Sequence, residues 1–372
     1  MKLFISGGGT AGHINPALAI ASEIEKRKED LEVYYVGTPK GMENTLVTKY
    51  PMYHIQIQGI KRSLSLENIK TAYYTATSFI KAKKLLKKEK PDLVVGTGGY
   101  ACWPIVSAAA SLGIPSALHE SNSIPGFVVK NLQKKVDVVF VNFDATRKLF
   151  DKGANVVHVG TPLRADFEKV NRESTRKALE IGEKYRAFVL SFGGSLGADR
   201  MNDEVLTLMS TFGKENPDVL MIHSTGAKHY DSVYAKAKEM GVADLPNVQI
   251  LKYISDMPQK MSAADLVICR SGALTLSELA YLGVPSILIP SPNVTDDQQY
   301  KNAKLFGADG AAEVIRESEL SSKLLYNTVK SIVDDEEKMA KMSHEAKKLA
   351  IADSGQRICD CLFKIVEEKK KK

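Results

Sequence analysis

No stretch of this sequence forms an apolar run of the roughly 18 residues that a membrane-spanning helix needs, so no transmembrane segment is expected. The chain opens on a charged residue and a strand-like stretch, which predicts no secretory signal peptide. Cysteine is scarce, and Cys102, Cys269, Cys359 and Cys361 lack the spacing of metal ligands. We therefore expect reduced thiols in the cytosol and no bound metal.

The first glycine-rich turn lacks features that the common nucleotide motifs require. Residues 7–13 read GGGTAGH, and Gly7, Gly9 and Gly12 match the spacing GxGxxG of dinucleotide-binding folds. The second predicted strand ends without the acidic residue that holds a ribose in those folds, and no Gly-Lys-Ser/Thr follows as in a P-loop. These absences disfavour an NAD enzyme and a P-loop NTPase, but they leave a phosphate at the helix start open.

The formal net charge of +7 is unevenly distributed. Residues 61–90 contain nine basic and two acidic residues, mixed with aromatic and aliphatic ones. A helix of this composition suits the headgroup layer of an anionic membrane, or it packs its apolar face inside and leaves its lysines solvated. The rest of the chain is near neutral and carries no nucleic-acid motif, so nucleic acid is not expected as a partner. The predicted membrane contacts are Ile69, Tyr73, Phe79, Ile80, Lys81 and Lys84.

Apolar runs and amphipathic stretches alternate through most of the chain, which predicts parallel sheets with helices on both faces. Predicted strands lie at residues 2–6, 32–36, 53–57, 92–95, 115–119, 137–141 and 156–159, and then at 187–192, 219–223, 248–251, 265–268, 285–289 and 311–314. Predicted helices include residues 16–28, 68–89, 200–212, 256–263, 273–282 and 298–306. We expect two domains that divide near residues 160–162.

A second glycine-rich turn, GGSLGA at residues 193–198, also follows an apolar strand and precedes a helix. Such a turn brings backbone N–H groups and the positive end of a helix to one point, which suits a phosphate. Two of these turns about a domain apart predict two Rossmann-like halves that face a cleft. Gly98 and Gly99 indicate a close approach of the backbone to a ligand, although a tight turn alone would also use them.

His13 is the candidate for catalysis at the first turn. It precedes Pro16, which we place at the first position of a helix. The positive helix end favours the neutral imidazole, which is the form that a general base needs. The alternative is a histidine that only caps the turn.

Two groups of side chains in the second half are candidates for ligand binding. Glu278 can accept both hydroxyls of a ribose, or it completes a capping box with Thr275. Gln298 and Gln299 carry amides that donate and accept together, which suits a sugar. The alternative for this loop is an ordinary helix start with Asp296 as its cap.

In their order along the chain, these motifs resemble the MurG family of bacterial UDP-N-acetylglucosamine:lipid I N-acetylglucosaminyltransferases. The matching stretches are GGTAGHINP at 8–16, GGY at 98–100, HESN at 119–122, GGSLGA at 193–198, RSGA at 270–273 and DDQQ at 296–299. The resemblance implies an α/β protein of the GT-B glycosyltransferase fold, with two Rossmann-like domains that face a central cleft. The implied domains are 1–162 on the acceptor and membrane side, 163–345 on the UDP-GlcNAc side, and 346–372, a helix that packs back on the first domain, plus a lysine tail.

The resemblance also implies an inverting transfer of GlcNAc from UDP-GlcNAc to lipid I (undecaprenyl-pyrophosphoryl-MurNAc-pentapeptide), which gives lipid II and UDP in peptidoglycan biosynthesis. It implies a peripheral enzyme on the cytoplasmic face of the cell membrane, in contact with anionic lipids, and a cell-wall synthesis or division complex as a partner. No cofactor and no metal are implied. His13 would be the general base on the acceptor hydroxyl, and the implied binding residues are Thr10, Ala11, Gly12, Asn122, Arg164, Ser195, Ile254, Ala273, Leu274, Thr275, Glu278, Gln298 and Gln299.

Within that set the resemblance implies individual roles. Glu278 would hold the ribose, Ile254 the uracil, and Ser195 and Thr275 the diphosphate, while Gln298 and Gln299 would read the GlcNAc hydroxyls. The sequence departs from the family at position 11, where many relatives have glycine, and in a variant loop at residues 291–295. Three alternatives stay open: a transferase of the same fold with another acceptor, a UDP-GlcNAc epimerase, and a non-enzymatic nucleotide-sugar sensor.

Overall fold

The computed structural model describes residues 1–59, 67–194 and 197–371, with the backbone alone for residues 67–69. The chain divides into two compact units. Unit 1 comprises Met1–Arg164 and Ile351–Lys372, and unit 2 comprises Ala165–Ala350. Each unit is built on its own parallel sheet with helices packed against it. This architecture confirms the predicted α/β class.

Unit 1 contains the first series of strands and helices. Its strands are β1 (Lys2–Ser6), β2 (Glu32–Gly37), β3 (Met52–His54), β4 (Leu93–Gly96), β5 (Ser116–Glu120), β6 (Val138–Val141) and β7 (Val156–His158). The α-helices in its first segment, Met1–Arg164, are α1 (Ala11–Glu25), α2 (Glu43–Leu46), α3 (Glu67–Glu89), α4 (Trp103–Ser111) and α5 (Phe127–Leu132). The strand order is β3-β2-β1-β4-β5-β6-β7. Because β1, β4 and β5 are parallel, the loops that follow them lie at one edge of the sheet.

Unit 2 repeats this plan with a second sheet. Its strands are β8 (Ala187–Phe192), β9 (Val219–Ser224), β10 (Val248–Leu251), β11 (Leu266–Cys269), β12 (Ser286–Leu288) and β13 (Ala312–Val314). Its helices are α6 (Ala165–Glu168), α7 (Arg172–Ala178), α8 (Asp199–Leu208), α9 (Tyr230–Glu239), α10 (Met257–Ala263), α11 (Ala273–Leu282), α12 (Gln298–Gly307), α13 (Ser322–Val333) and α14 (Glu336–Lys348). The strand order is β10-β9-β8-β11-β12-β13, and the loops after β8, β11 and β12 share one edge.

The sheet of unit 1 is buried on both faces, and β1 illustrates how. Leu3 and Ile5 pack into a core that includes α1, whereas Phe4 between them packs into a second core with α3 and α4. The last helix, α15 (Ser354–Lys370), belongs to unit 1 and contributes Ile358 and Leu362 to the first of these cores. Strands buried on both faces read as continuous apolar runs, which is why the sequence pattern located them.

Two predicted helices differ from the structure by more than one residue at an end. We predicted that α1 would begin at Pro16, but it begins at Ala11, and Pro16 lies inside it. Because proline has no N–H, the carbonyl of Gly12 lacks its usual helical partner four residues on. The helix predicted at residues 200–212 ends as an α-helix at Leu208 and continues as a π-helical turn over Met209–Gly213.

Candidate active site

The first glycine-rich turn leads from β1 directly into α1. Thr10 is the N-cap residue, but its side chain makes no capping hydrogen bond to the helix backbone. Its hydroxyl oxygen instead lies 3.2 Å from His13 Nδ1. Thr10 and Gly12 are exposed and Ala11 is half-buried, so the start of α1 is accessible to a ligand. An accessible helix start offers backbone N–H groups and a positive dipole end, which together favour an anion.

His13 lies in the first turn of α1, and its hydrogen bonds fix its tautomer. Nδ1 lies 3.1 Å from the carbonyl oxygen of Gly8. A carbonyl oxygen only accepts, so we assign the proton to Nδ1, which leaves the lone pair on Nε2. The side chain is half-buried, and burial lowers the pKa of His13 from its ordinary value of 6.5. A neutral ring with a free Nε2 is the form that can take a proton from a substrate hydroxyl.

The glycines at 98 and 99 lie against this histidine and the carbonyl that it contacts, which gives them a role within the fold. Their approach to a ligand stays a prediction. A Cβ on Gly98 would lie 2.7 Å from His13 Cδ2, and a Cβ on Gly99 would lie 2.1 Å from the carbonyl oxygen of Gly8. Both glycines have positive φ, +106° and +74°. The loop after β4 therefore packs against the imidazole and its hydrogen-bond acceptor, and an L side chain has neither the space nor the backbone conformation there.

The HESN motif begins on the last two residues of β5 and leads into a second ordered loop at the same edge. Glu120 is buried, and its carboxyl accepts the N–H of Asn122 at 3.0 Å and the N–H of Gly126 at 2.7 Å. Burial raises the pKa of Glu120 in spite of these donors. His119 donates from Nε2 to the carbonyl of Gly160 at 2.8 Å, and burial lowers its pKa to about 4. These contacts hold the backbone of Asn122, a predicted binding residue, whose own side chain is half-buried.

Beneath the first turn lies a buried carboxyl that our sequence analysis missed. Glu43 Oε1 accepts the N–H and the hydroxyl of Thr38 at 2.7 and 2.8 Å, whereas Oε2 has no hydrogen-bond partner within the described part of the chain. A Cβ on Gly41 would lie 2.1 Å from Oε1, and one on Gly8 would lie 3.2 Å from Oε2. Glu43 thus fills the space behind the turn that presents its carbonyl to His13. A single glutamate at the start of the short helix α2 carries no pattern that indicates this role.

In unit 2, the turn after β11 places its predicted residues on the first two turns of α11. Gly272 is the N-cap, so Thr275 is the third helical residue and cannot be the capping residue. The capping-box alternative for Glu278 is therefore wrong. Thr275 and Glu278 are half-buried, and Leu274 is too, whereas Ala273 is buried. Residues 273–275 contribute N–H groups at the helix start, where a diphosphate is favoured.

The DDQQ motif leads into α12. Gln299 is held at both ends: its side-chain oxygen accepts the N–H of Ser291 at 2.8 Å, and its backbone carbonyl accepts the hydroxyl of Ser271 at 2.8 Å. Among the residues that the structure describes, its amide nitrogen has no acceptor, so both of its donors can meet a ligand. Asp297, not Asp296, is the N-cap, and its side chain makes no capping bond, so the alternative of Asp296 as a cap is wrong.

The remaining predicted binding residues are placed less directly. Ile254 as a whole residue is 2% exposed, so only a small part of it can meet a base. Arg164 is exposed at the end of the first segment of unit 1. Ser195 lies outside the described residues. No cluster of three metal-ligating side chains occurs within the residues that the structure describes.

The helix α3 carries the predicted membrane contacts of unit 1. Tyr73 and Ile80 expose 65% and 53% of their side chains, and Lys81 and Lys84 are exposed as well. A large exposed tyrosine and isoleucine beside lysines are typical of a surface that meets lipid headgroups. None of the described helices has the length and hydropathy of a membrane span.

Phe79 differs from the other predicted contacts on α3. Its half-buried ring packs on Trp103 of α4, with 6.2 Å between ring centroids, and Lys83 Nζ lies 5.2 Å from its ring centre. Phe79 and Trp103 line one groove with Ala76, beside Lys135. Trp103 is a residue that sequence analysis missed, although a lone tryptophan next to a basic helix is a usable signal. The side chain of Ile69 lies outside the described residues.

Comparison with family models decides the affiliation. Residues 3–141 match the glycosyltransferase family 28 N-terminal domain, and residues 188–358 match the glycosyltransferase family 28 C-terminal domain. The chain belongs to glycosyltransferase family 28. The family assignment explains the two similar sheets, because each family domain spans most of one of them.

Relatives of this family 28 chain match it over nearly its full length. A UDP-N-acetylglucosamine–N-acetylmuramyl-(pentapeptide) pyrophosphoryl-undecaprenol N-acetylglucosamine transferase from Acetivibrio thermocellus is 42% identical, over 99% of each chain. A transferase of the same name from Bacillus licheniformis is 40% identical, over 97% of this chain and 98% of its own. The predicted resemblance to the MurG family and the prediction of a UDP-GlcNAc-dependent transferase are confirmed.

Solved structures agree with this affiliation. Acinetobacter baumannii MurG superposes with a TM-score of 0.78 at 30% identity, over 98% of this chain and 99% of that one. The GT-B prediction is thereby confirmed. A putative UDP-N-acetylglucosamine 2-epimerase from Listeria monocytogenes gives a TM-score of 0.70 at 16% identity, over 99% and 97% of the two chains. At that identity the likeness shows a shared fold alone.

Proposed function

We propose that this family 28 chain transfers GlcNAc from UDP-GlcNAc to the muramyl sugar of lipid I with inversion, giving lipid II and UDP. The observation that carries the proposal is the full-length match, at about 40% identity, to transferases whose name specifies this acceptor. The ordered histidine at the start of α1 supports it, since the acceptor hydroxyl needs a base. An acceptor-independent epimerase has no comparable support.

In the proposed step, His13 Nε2 takes the proton of the acceptor hydroxyl while that oxygen attacks the anomeric carbon of GlcNAc. The new carbon–oxygen bond forms as the bond to UDP breaks, and UDP leaves with the electron pair. Two features prepare the base. The Gly8 carbonyl holds the proton on Nδ1. Burial lowers the pKa of His13, so the ring stays neutral at lower pH than an exposed histidine does. The exposed start of α1, at Thr10, Ala11 and Gly12, would receive the sugar or the acceptor phosphate, with Asn122 nearby.

We assign the donor to unit 2, which corresponds to the predicted domain 163–345, and the acceptor to unit 1. The N–H groups at the start of α11, with Thr275 and Ser195, would hold the diphosphate and meet the charge that builds on it as UDP leaves. Glu278 would accept the ribose hydroxyls, and Ile254 would contact the uracil. Gln298 and Gln299 would read the GlcNAc hydroxyls, with Arg164 as a further contact. These groups supply the electrostatic stabilisation without a metal.

We further propose that the enzyme is peripheral on the cytoplasmic face of the membrane and docks through α3. A lipid-tailed acceptor stays in the bilayer, so a surface that brings the enzyme to it raises the encounter rate. The exposed Tyr73 and Ile80 would enter the headgroup layer, while Lys81 and Lys84 would meet anionic phosphates.

The test is UDP release from UDP-GlcNAc by the purified protein, with and without a soluble lipid I analogue. We expect release that depends on the analogue, together with a product that carries GlcNAc in the inverted configuration. UDP release that is independent of the analogue, or epimerised UDP-GlcNAc, would contradict the proposal.

Two histidine variants test whether His13 is the general base. His13→Ala should lower turnover by about 10²- to 10⁴-fold, the usual contribution of a general base, without changing the affinity for UDP-GlcNAc. His344→Ala, which removes an exposed histidine on α14, is the matched control and should turn over normally. Near-normal turnover of His13→Ala would remove His13 from this role.

A further inference from the structure

The turn that leads into α12 has a costly backbone conformation. Asp296 and Asp297 are consecutive residues with φ values of +57° and +53°, in the left-handed region. Holding a non-glycine residue in this region costs free energy, and such a conformation persists only where the surrounding residues fix it. The next two residues are Gln298 and Gln299, the proposed readers of the sugar. The conformation of this turn therefore decides where α12 begins and how both amides are presented.

Arg316, two residues beyond β13, makes two contacts that fix the turn. Its guanidinium carbon lies 3.4 Å from the ring centre of Tyr300, and its Nη2 lies 3.1 Å from Asp297 Oδ2. The planar guanidinium stacks on the aromatic ring while its edge donates to the carboxylate, a combination that a lysine cannot make. One side chain thus contacts residues on both sides of the two glutamines.

The neighbouring residue, Glu317, fixes the second loop of unit 2 that we assign to the nucleotide sugar. It pairs with Arg270, which also donates to the carbonyls of Ile289 at 3.1 Å and Pro290 at 3.2 Å. Arg270 immediately precedes the turn that begins α11. The segment after β13 therefore holds the loop for the diphosphate through Glu317 and the loop for the sugar through Arg316.

We propose that Arg316 is a positioning residue for the sugar of the nucleotide-sugar donor, an inference that rests on the proposed function of unit 2. It keeps residues 296–297 in their left-handed conformation, so that Gln298 and Gln299 are ordered before the donor arrives. Without Arg316 the turn relaxes toward ordinary backbone conformations, and only a fraction of the molecules can bind the sugar. Apparent affinity falls in proportion to that fraction.

The experiment compares binding of UDP-GlcNAc and of UDP to Arg316→Ala by titration calorimetry, without acceptor. We expect UDP-GlcNAc to bind about five- to tenfold more weakly, the size of a partly exposed stacking contact plus an ion pair, and UDP to bind as before. Arg316→Lys keeps a cation for Asp297 but loses the stacking, and should recover part of the affinity. Glu313→Gln breaks a surface ion pair between Glu313 on β13 and Lys338 on α14, and this variant should bind both ligands normally.

The comparison of the two ligands separates positioning from general loss of structure. Equal weakening of UDP and UDP-GlcNAc in Arg316→Ala, or no weakening of either, would overturn the proposal. If Arg316→Ala does not fold, Arg316→Lys provides the same comparison. A wild-type protein that binds no UDP-GlcNAc would instead refute the assignment of the donor to unit 2, so the two failures are distinguishable.

Discussion

Replacing Gly99 by alanine should disable the proposed base without removing it. The new Cβ would lie 2.1 Å from the Gly8 carbonyl oxygen and 3.2 Å from His13 Nδ1. Carbon and oxygen normally approach to about 3.3 Å, so the carbonyl or residue 99 has to move by about 1 Å. The movement disrupts the hydrogen bond that leaves the lone pair on Nε2. Because a misplacement of about 1 Å costs about 100-fold in rate, we expect turnover to fall by about that factor.

Gly113 provides a matched control for this substitution. Its φ of +71° is close to the +74° of Gly99, but an added Cβ would meet no atom within 4 Å. Alanine is strained at both positions because φ is positive, and at 99 ψ is 160°, which places the backbone in a region essentially restricted to glycine. Only the alanine at 99 also overlaps a neighbour. Urea unfolding measures the loss of stability of each variant, and lipid I-dependent UDP release measures turnover. If Gly99→Ala and Gly113→Ala turn over equally fast, the link between the loop and His13 is refuted.

Three further predictions follow from the buried and exposed groups. His119 and His223 have pKa values of about 4 in the fold, below the ordinary 6.5. The free energy of unfolding should therefore be highest above pH 6.5 and decrease toward pH 4 by up to about 3 kcal/mol per histidine. Urea unfolding at pH 7 and pH 5 checks this, and equal stability at both pH values would contradict it. Glu278→Ala should weaken UDP binding at least about tenfold, because the ribose hydroxyls lose their acceptor; calorimetry with normal UDP affinity would rule out the ribose contact. Tyr73→Ser combined with Ile80→Ser should reduce sedimentation with anionic vesicles but spare activity on a soluble acceptor, and undiminished sedimentation would argue against docking through α3.

The strands could be predicted from the sequence because they are buried. In β1, Leu3, Phe4 and Ile5 are apolar in succession since both faces of the sheet are covered, and the same holds for β8 and β11. The ends of helices were harder to place. Proline favours the first helical position but is tolerated at Pro16 inside α1, and Thr275 with Glu278 has the spacing of a capping box although the helix begins earlier.

The candidate site could be predicted only as far as single motifs reach. His13 stands out beside glycines, but its partner loop at 98–99 comes from another strand, and nothing in the sequence brings the two together. Contacts between loops of parallel strands have no periodicity, so Glu43 and Arg316 carried no signal. Their roles depend on distances across the sheet edge, which only the folded chain defines.

The return of the chain to unit 1 at residue 351 bears on the order of events during synthesis. Ribosomes deliver the chain from its amino end, so all of unit 2 emerges before α15 does. Until then the apolar side of α1, around Ile20 and Ile24, lacks the cover that Ile358 and Leu362 provide. Unit 2 can thus fold while the chain is still being synthesised. Unit 1 keeps an exposed apolar surface, which chaperones can bind, until its final helix has left the ribosomal exit tunnel.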